Sequence, residues 1–229
     1  MSEPKKKSIE SRKKTAAILI AAALGICVVG LFFLNTGDLT FDFDFLFEPE
    51  ETVQYVYSGD GVHRVSLYEP DWDSNILEDP DYLDKNRYIT YVDGGLSITI
   101  VDEDYSDYGE PVELLANYLN ALIMGDAELA NSYFADSYFD ENSPLDKITM
   151  QKLYNISIEY IARADKDLPD LGNVTQYVYK LSYMIMENDG TFRSDVTSDA
   201  IKPQFYTIIE TSNGLEIYDV DSYYDPFEE

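Results

Sequence analysis

Residues 15–34, TAAILIAAALGICVVGLFFL, carry no charge. At ~1.5 Å of rise per residue, a helix of this length spans roughly 30 Å, the hydrocarbon thickness of a bilayer. Such a segment divides the chain into parts that fold in different compartments. Lys5, Lys6, Lys7, Arg12, Lys13 and Lys14 precede it, against Glu3 and Glu10. Basic flanks of a spanning helix stay in the cytoplasm. The expectation is therefore a cytoplasmic basic tail over residues 1–14, a transmembrane helix in the lipid bilayer over 15–34, and the rest of the chain outside. A cleaved signal peptide has an apolar core of ~7–15 residues ending in a small-x-small site. Here the run is longer, and Phe32-Phe33-Leu34-Asn35 offers no such site. A lipoprotein signal needs a small residue before its cysteine, and Ile26 precedes Cys27. The segment reads as an uncleaved signal anchor, with Cys27 a small apolar residue facing lipid. As the single cysteine, Cys27 leaves no intramolecular disulfide to staple the outer part. That suits the bacterial cell envelope better than a disulfide-stapled ectodomain.

The chain carries 16 Lys+Arg and 44 Asp+Glu, of which residues 1–14 hold six and two. Residues 35–229 therefore carry 10 against 42, a net charge of −32. That surface repels phosphate backbones and anionic headgroups, which argues against nucleic acid as a partner. It suits solubility, cations or basic partners. Disorder is a poor reading, because hydrophobic residues make up 45% and aromatic residues 14% of the chain, whereas acidic disordered segments are poor in aromatics.

Beyond the membrane, residues 35–51 read as a juxtamembrane linker in which Phe41-Asp42-Phe43-Asp44-Phe45 alternates like a strand with one apolar face. Residues 53–57 and 62–68 read as strands joined through Ser58-Gly59-Asp60-Gly61. Residues 87–92 and 96–101 read as a hairpin turned by Asp93-Gly94-Gly95. Residues 52–104 are thus expected to be a small β-rich unit of about four strands. Pro111 opens a helix whose Val112, Leu115, Ala116, Leu119, Leu122 and Ile123 share one face. Gly125 ends it, and Asp126 caps a second helix running to about Phe134. Residues 145–153 are expected to form a third, short helix. About five strands follow, over 156–164, 174–186, 191–197, 204–210 and 215–220, with turns at Asn188-Asp189-Gly190 and Asn213-Gly214. Helices grouped before a run of hairpins predict an α+β domain, with the helices packed on one face of an antiparallel sheet.

That order, together with Tyr118-Leu119-Asn120-Ala121-Leu122, Gly125-Asp126-Ala127-Glu128-Leu129-Ala130 and Gly214-Leu215-Glu216-Ile217-Tyr218-Asp219-Val220, resembles the nuclear transport factor 2-like superfamily, the ketosteroid isomerase-like cone. Leu215 departs from the aromatic common at its place. The resemblance covers residues 111–224 and implies a cone-type domain, a curved antiparallel sheet wrapped around a helix with an apolar cavity. These motifs are helix faces and turns. They speak for fold and not for activity.

The outer chain lacks the parts of most catalytic sites. His63 is the only histidine, so zinc sites and His-dependent nucleophiles have no components. The isomerases of the cone family use a carboxylate base and a tyrosine oxyanion hole. Tyr and Asp abound here, but no spacing singles out a pair. Asp71-x-Asp73-x-Asn75 begins like a calcium loop, yet Ile76 stands at the sixth place and Tyr82 at the twelfth. Asp102-Glu103-Asp104 and Asp219/Asp221 are acidic clusters that read as solvated surface. Asn155 and Asn173 fit the glycosylation pattern, which matters only in a eukaryotic source. The expectation is a membrane-anchored, non-catalytic binding or scaffolding protein with no catalytic, cofactor-binding or metal residues. Its partner is a protein or a small apolar ligand. The alternatives are an assembly subunit of a conjugation- or secretion-type membrane complex, or a ligand-binding or isomerase-type cone.

Overall fold

A computed structural model describes residues 51–58, 61–169, 171–211 and 214–225, all within one unit, Pro49–Glu229. The expected basic tail, the transmembrane helix, Cys27, the Phe41–Phe45 alternation, Gly59-Asp60 and Asn213 lie outside the described residues. Among the described residues no helix is long and apolar enough to cross a membrane.

The described part of the chain is α+β, with few helices on a curved mixed sheet. Its strands are β1 (Thr52–Ser58), β2 (Gly61–Leu67), β3 (Ile89–Asp93), β4 (Leu96–Ile100), β5 (Leu153–Leu168), β6 (Gly172–Ile185), β7 (Gln204–Thr211) and β8 (Gly214–Asp221). Its helices are α1 (Pro80–Leu83), α2 (Glu110–Ile123) and α3 (Ala127–Asn131), with 3₁₀ turns at Ile76–Glu78, Tyr105–Tyr108 and Asp136–Asp140.

The hairpins form where turn residues meet alternating strands, but their grouping differs from the four-stranded unit expected over 52–104. β1 and β2 pair only with each other, while β3 and β4 join the main sheet in the order β4-β3-β5-β6-β7-β8. β3 pairs with β5 in parallel, Ile89 beside Ile156 and Tyr91 beside Ile158, so the sheet is mixed where an antiparallel one was expected. A parallel pair needs a crossover, and residues 101–152 supply it. Burial explains the recruitment. Ile89 is buried in the α2 core, with Tyr91 packed against it, a core that a free four-stranded unit of this size would lack.

α2 starts behind Gly109, with Pro111 in its first turn and Glu110 and Glu113 at its positive end. Its buried stripe holds Val112, Leu115, Ala116, Leu119 and Leu122, joined by Tyr118 and Ala121. This stripe packs on Ile156 and Ile158 of β5, Tyr179, Leu181, Tyr183 and Ile185 of β6, Tyr206 and Ile208 of β7, and Ile217 of β8. The Asp126 side chain accepts from Leu129 N at 2.9 Å and caps α3, which ends at Asn131, short of Phe134. Phe134 instead makes a parallel bridge to Ile217. β5 bends at register shifts between Tyr154 and Ser157 and between Tyr160 and Ala162. Asn155, at the first shift, has φ of 50°, a left-handed conformation that asparagine tolerates.

Two expected elements are absent. Residues 145–153 are extended, not helical, because their polar groups are engaged elsewhere. Leu145 N and O bond the Asn131 amide. Thr149 N bonds Thr191 Oγ1, and Gln151 N bonds Leu122 O. The segment lies so close to the end of α2 that a Cβ on Gly125, whose φ is +70°, would stand 2.9 Å from Met150 N. Residues 191–197 form a loop and not a strand. Asn188, fully buried, donates through Nδ2 to Arg193 O and Val196 O and accepts from Gly190 N. These side-chain bonds replace a ladder.

Candidate functional site

The best-formed site between the sheet and the helices is a chain of polar groups sunk in the apolar core. α2 places Tyr118 there because position 118 lies on its buried stripe. β6 and β7 place Tyr183 and Tyr206 there because alternation turns both to the α2 face. The loop after Asn188 turns Arg193 inward, where it is 7% exposed. Its Nε donates to Asp195 Oδ1 at 2.6 Å and its Nη2 to Asp195 Oδ2 at 2.9 Å, a bidentate pair. Its Nη1 donates to Tyr183 OH at 3.2 Å and to Gln204 Oε1. Lys202 Nζ lies 2.8 Å from Asp195 Oδ2. The Tyr206 hydroxyl is hydrogen-bonded to those of Tyr118 and Tyr183.

Electrostatics fixes the protonation of this network. Burial pushes the phenols of Tyr118, Tyr183 and Tyr206 up, so they stay neutral. Burial alone raises the Asp195 carboxyl, but hydrogen bonds from Arg193 and Lys202 overcome it and hold the group down at about 2. Burial works against the Arg193 charge, yet the bonds to Asp195 and Tyr183 keep the guanidinium firmly protonated.

Beside this network lies a cavity of about 160 Å³, below the ~300–1,000 Å³ of pockets that take drug-sized ligands. Phe134, Tyr138, Phe139 and Phe192 wall it, and Tyr118, Arg193, Gln204 and Tyr206 supply its polar end. No Asp or Glu is among the residues lining it. The rings pack on one another, with Phe134 and Tyr138 centroids 4.4 Å apart and Tyr118 edge-on to Phe134 at 5.5 Å. A chemical step that removes a proton needs a base within hydrogen-bond reach. The polar groups here are phenols, the Asn131 and Gln204 amides, the Ser143 hydroxyl and a guanidinium already held by its own carboxylate.

A second hollow of about 160 Å³ lies among Tyr68, Glu69, Asp71, Gln151, Lys152, Glu187 and Asp189. Lys152 Nζ sits 2.6 Å from Asp79 Oδ2 and also bonds Glu187. The Lys152 bond lowers the Asp79 carboxyl. This ion pair ties residues 68–83 to the loop after β6, and Tyr82 OH adds a 2.9 Å bond to Leu153 O. A more roomy hollow of about 490 Å³ lies on the opposite face of the sheet, between Ala162, Ala164, Val178, Asp219 and Tyr224.

The residues weighed from sequence take structural places. His63 stands in β2 opposite Val56. Asp71 accepts from Asp73 N at 3.2 Å, and Asn75 accepts from Leu77 N at 3.2 Å and caps the 3₁₀ turn. Asp102, Glu103 and Asp104 are exposed, and Asp104 accepts from Ser106 Oγ. Asp219 accepts from Val220 N. Among the described residues, no three His, Cys, Asp or Glu side chains gather to hold a metal ion. Sequence reasoning missed Arg193, whose one local signal is Asp195 two residues on. The chain matches no protein-family model, no curated protein and no solved structure.

Proposed function

We propose that this is a single-pass bacterial envelope protein, held in the membrane by residues 15–34 with its N-terminus in the cytoplasm. Its outer residues 111–224 are a nuclear transport factor 2-like cone used for non-catalytic binding or scaffolding. The address rests on the uncharged segment and its basic flank. The cone reading rests on the α2-first order, the mixed curved sheet and the core that α2 shares with β5–β8. The observation that carries the non-catalytic reading is the occupancy of the space a cone ligand would fill. Tyr118, Tyr183, Tyr206 and the Arg193–Asp195 pair stand in it, and about 160 Å³ remains with no carboxylate in its lining. The working surface is then the exterior.

Native mass spectrometry of the full chain extracted from membranes tests this. The expected mass is that of the polypeptide with no stoichiometric small molecule. A one-to-one adduct lost on Tyr206→Trp would move the function to ligand capture in the cone. One feature favours the assembly reading as a second choice. A basic tail, one apolar helix and an outer α+β domain are also the layout of conjugation- and secretion-channel subunits.

A further inference from the structure

The two edges of the six-stranded sheet are treated differently. At β8, the chain after α3 covers part of the edge: Ala135 N bonds Ile217 O at 2.9 Å, and Ile217 N bonds Tyr133 O at 2.8 Å. At β4, the described residues provide a partner on one side only, β3. The two-residue turn makes Asp93/Leu96, Tyr91/Ile98 and Ile89/Ile100 the bonded pairs. The backbone N–H and C=O groups of Ser97, Thr99 and Val101 therefore point away from β3. The strip is uncharged from Leu96 to Val101, and those two residues are 53% and 66% exposed. Leu96, Ile98 and Ile100 share one face, and beneath it Tyr91 packs on Tyr108 with centroids 5.3 Å apart. Such a strip invites strand pairing unless charge or cover prevents it.

The flanks select the occupant. Exposed Asp93 stands at one end and exposed Asp102, Glu103 and Asp104 at the other. In an antiparallel pair with a second copy, the Asp102–Asp104 end of one strand meets the Asp93–Gly95 end of the other, so like charges gather at both ends. A strand with an uncharged, alternating centre and Lys or Arg at its ends meets no such repulsion.

We propose that the β4 edge is a docking site for an extended segment of a partner protein, apolar in the middle and basic at its flanks. The segment is added antiparallel to β4 through the backbone of Ser97, Thr99 and Val101. This rests on reading the outer domain as a binding module, and the test does not depend on membrane address.

Two fluorescent peptides, KKVTVTVKK and EEVTVTVEE, are titrated into the full chain in detergent, with amide exchange followed by NMR. The basic peptide is expected to bind at least tenfold tighter, to weaken with salt, and to slow exchange at Ser97, Thr99 and Val101. T99P, which removes an outward N–H and leaves the β3 ladder bonds, abolishes binding. D102K/E103K, which leaves the edge intact, is expected to narrow the preference by at least threefold. The proposal is overturned if both peptides bind equally, if neither binds, or if protection appears elsewhere. It is also overturned if the free chain already protects these amides: a dimer lost in T99P would make the occupant a second copy, and release on deleting residues 39–47 would make it the chain's own linker.

Discussion

Arg193 is a charge that folding has taken out of water, and it persists because Asp195, Tyr183 and Gln204 meet its donors. Removing Arg193 strips Tyr183 and Gln204 of a buried donor and leaves the part-exposed Asp195 with Lys202 alone, which costs ~1–3 kcal/mol. Arg193→Leu is expected to lower unfolding stability by about that amount in urea titrations. Arg193→Leu with Asp195→Leu is expected to lose less than the single variant, since no carboxylate is left short of a partner. The Asp195 carboxyl sits at about 2 in the fold and near 3.9 in the unfolded chain. Its folded value is depressed, so its stabilisation is present above pH ~4 and is lost as pH falls through about 2. After solvent screening of this half-buried group, the loss is on the order of 1–2 kcal/mol, read from midpoints at pH 5 and pH 2. Tyr118, Tyr183 and Tyr206 have the opposite sign. Their folded values are raised, so their contribution is intact below pH ~10 and disappears as pH rises further. Ionisation of these phenols, followed by ultraviolet absorbance, is expected to coincide with cooperative alkaline unfolding; early titration without unfolding would contradict the network. None of this was legible in the sequence. Arg193, Gln204 and three of twenty tyrosines become a unit only when a loop and two strands bring them against α2.

Among the elements, those set by local chemistry were the legible ones. The stripe of α2, its glycine stop, the Asp126 cap and the Asp93-Gly94-Gly95 turn all formed where their residues dictate. The two missing elements share one cause, side chains that bond the backbone in place of a helix or ladder. Leu145–Leu153 has the apolar spacing of a short helix, but Thr149, Gln151 and Asn131 draw it out along the end of α2. Asn188 does the same to 191–197 by holding two carbonyls and one amide. Asn188→Ala orphans buried groups worth ~1–3 kcal/mol each, so a loss of about 2–4 kcal/mol is expected, with faster proteolysis within 186–200. Gly190 tests the seam between β2 and this loop. Its φ is +75°, and a Cβ there would meet Leu67 Cδ1 at 2.5 Å. Gly190→Ala is expected to destabilise by at least ~1 kcal/mol, and Gly190→Ala with Leu67→Ala is expected to recover none of the backbone strain. A neutral single variant would contradict the left-handed backbone at position 190. The parallel pairing of β3 with β5 was hidden for a different reason. Periodicity tells a strand from a helix and says nothing about which strand it will lie beside.

For the whole molecule, charge and geometry divide the work. The core is closed around an aromatic and guanidinium network, and the outer surface is strongly acidic, with an uncharged strip at the β4 edge. On the proposed reading such a domain meets partners at its exterior, and the proposed anchor over residues 15–34 sets the side of the membrane on which that happens. Site-directed labelling of intact cells examines this most directly. In a Cys27→Ser background, a membrane-impermeant maleimide is applied to Ser137→Cys, on the exposed turn after α3, and to Ser8→Cys in the basic tail. The 137 position is expected to label in intact cells and the 8 position only after permeabilisation, with the protein staying in the membrane at full length. Labelling of the 8 position alone, or release of the domain into the medium, would contradict it.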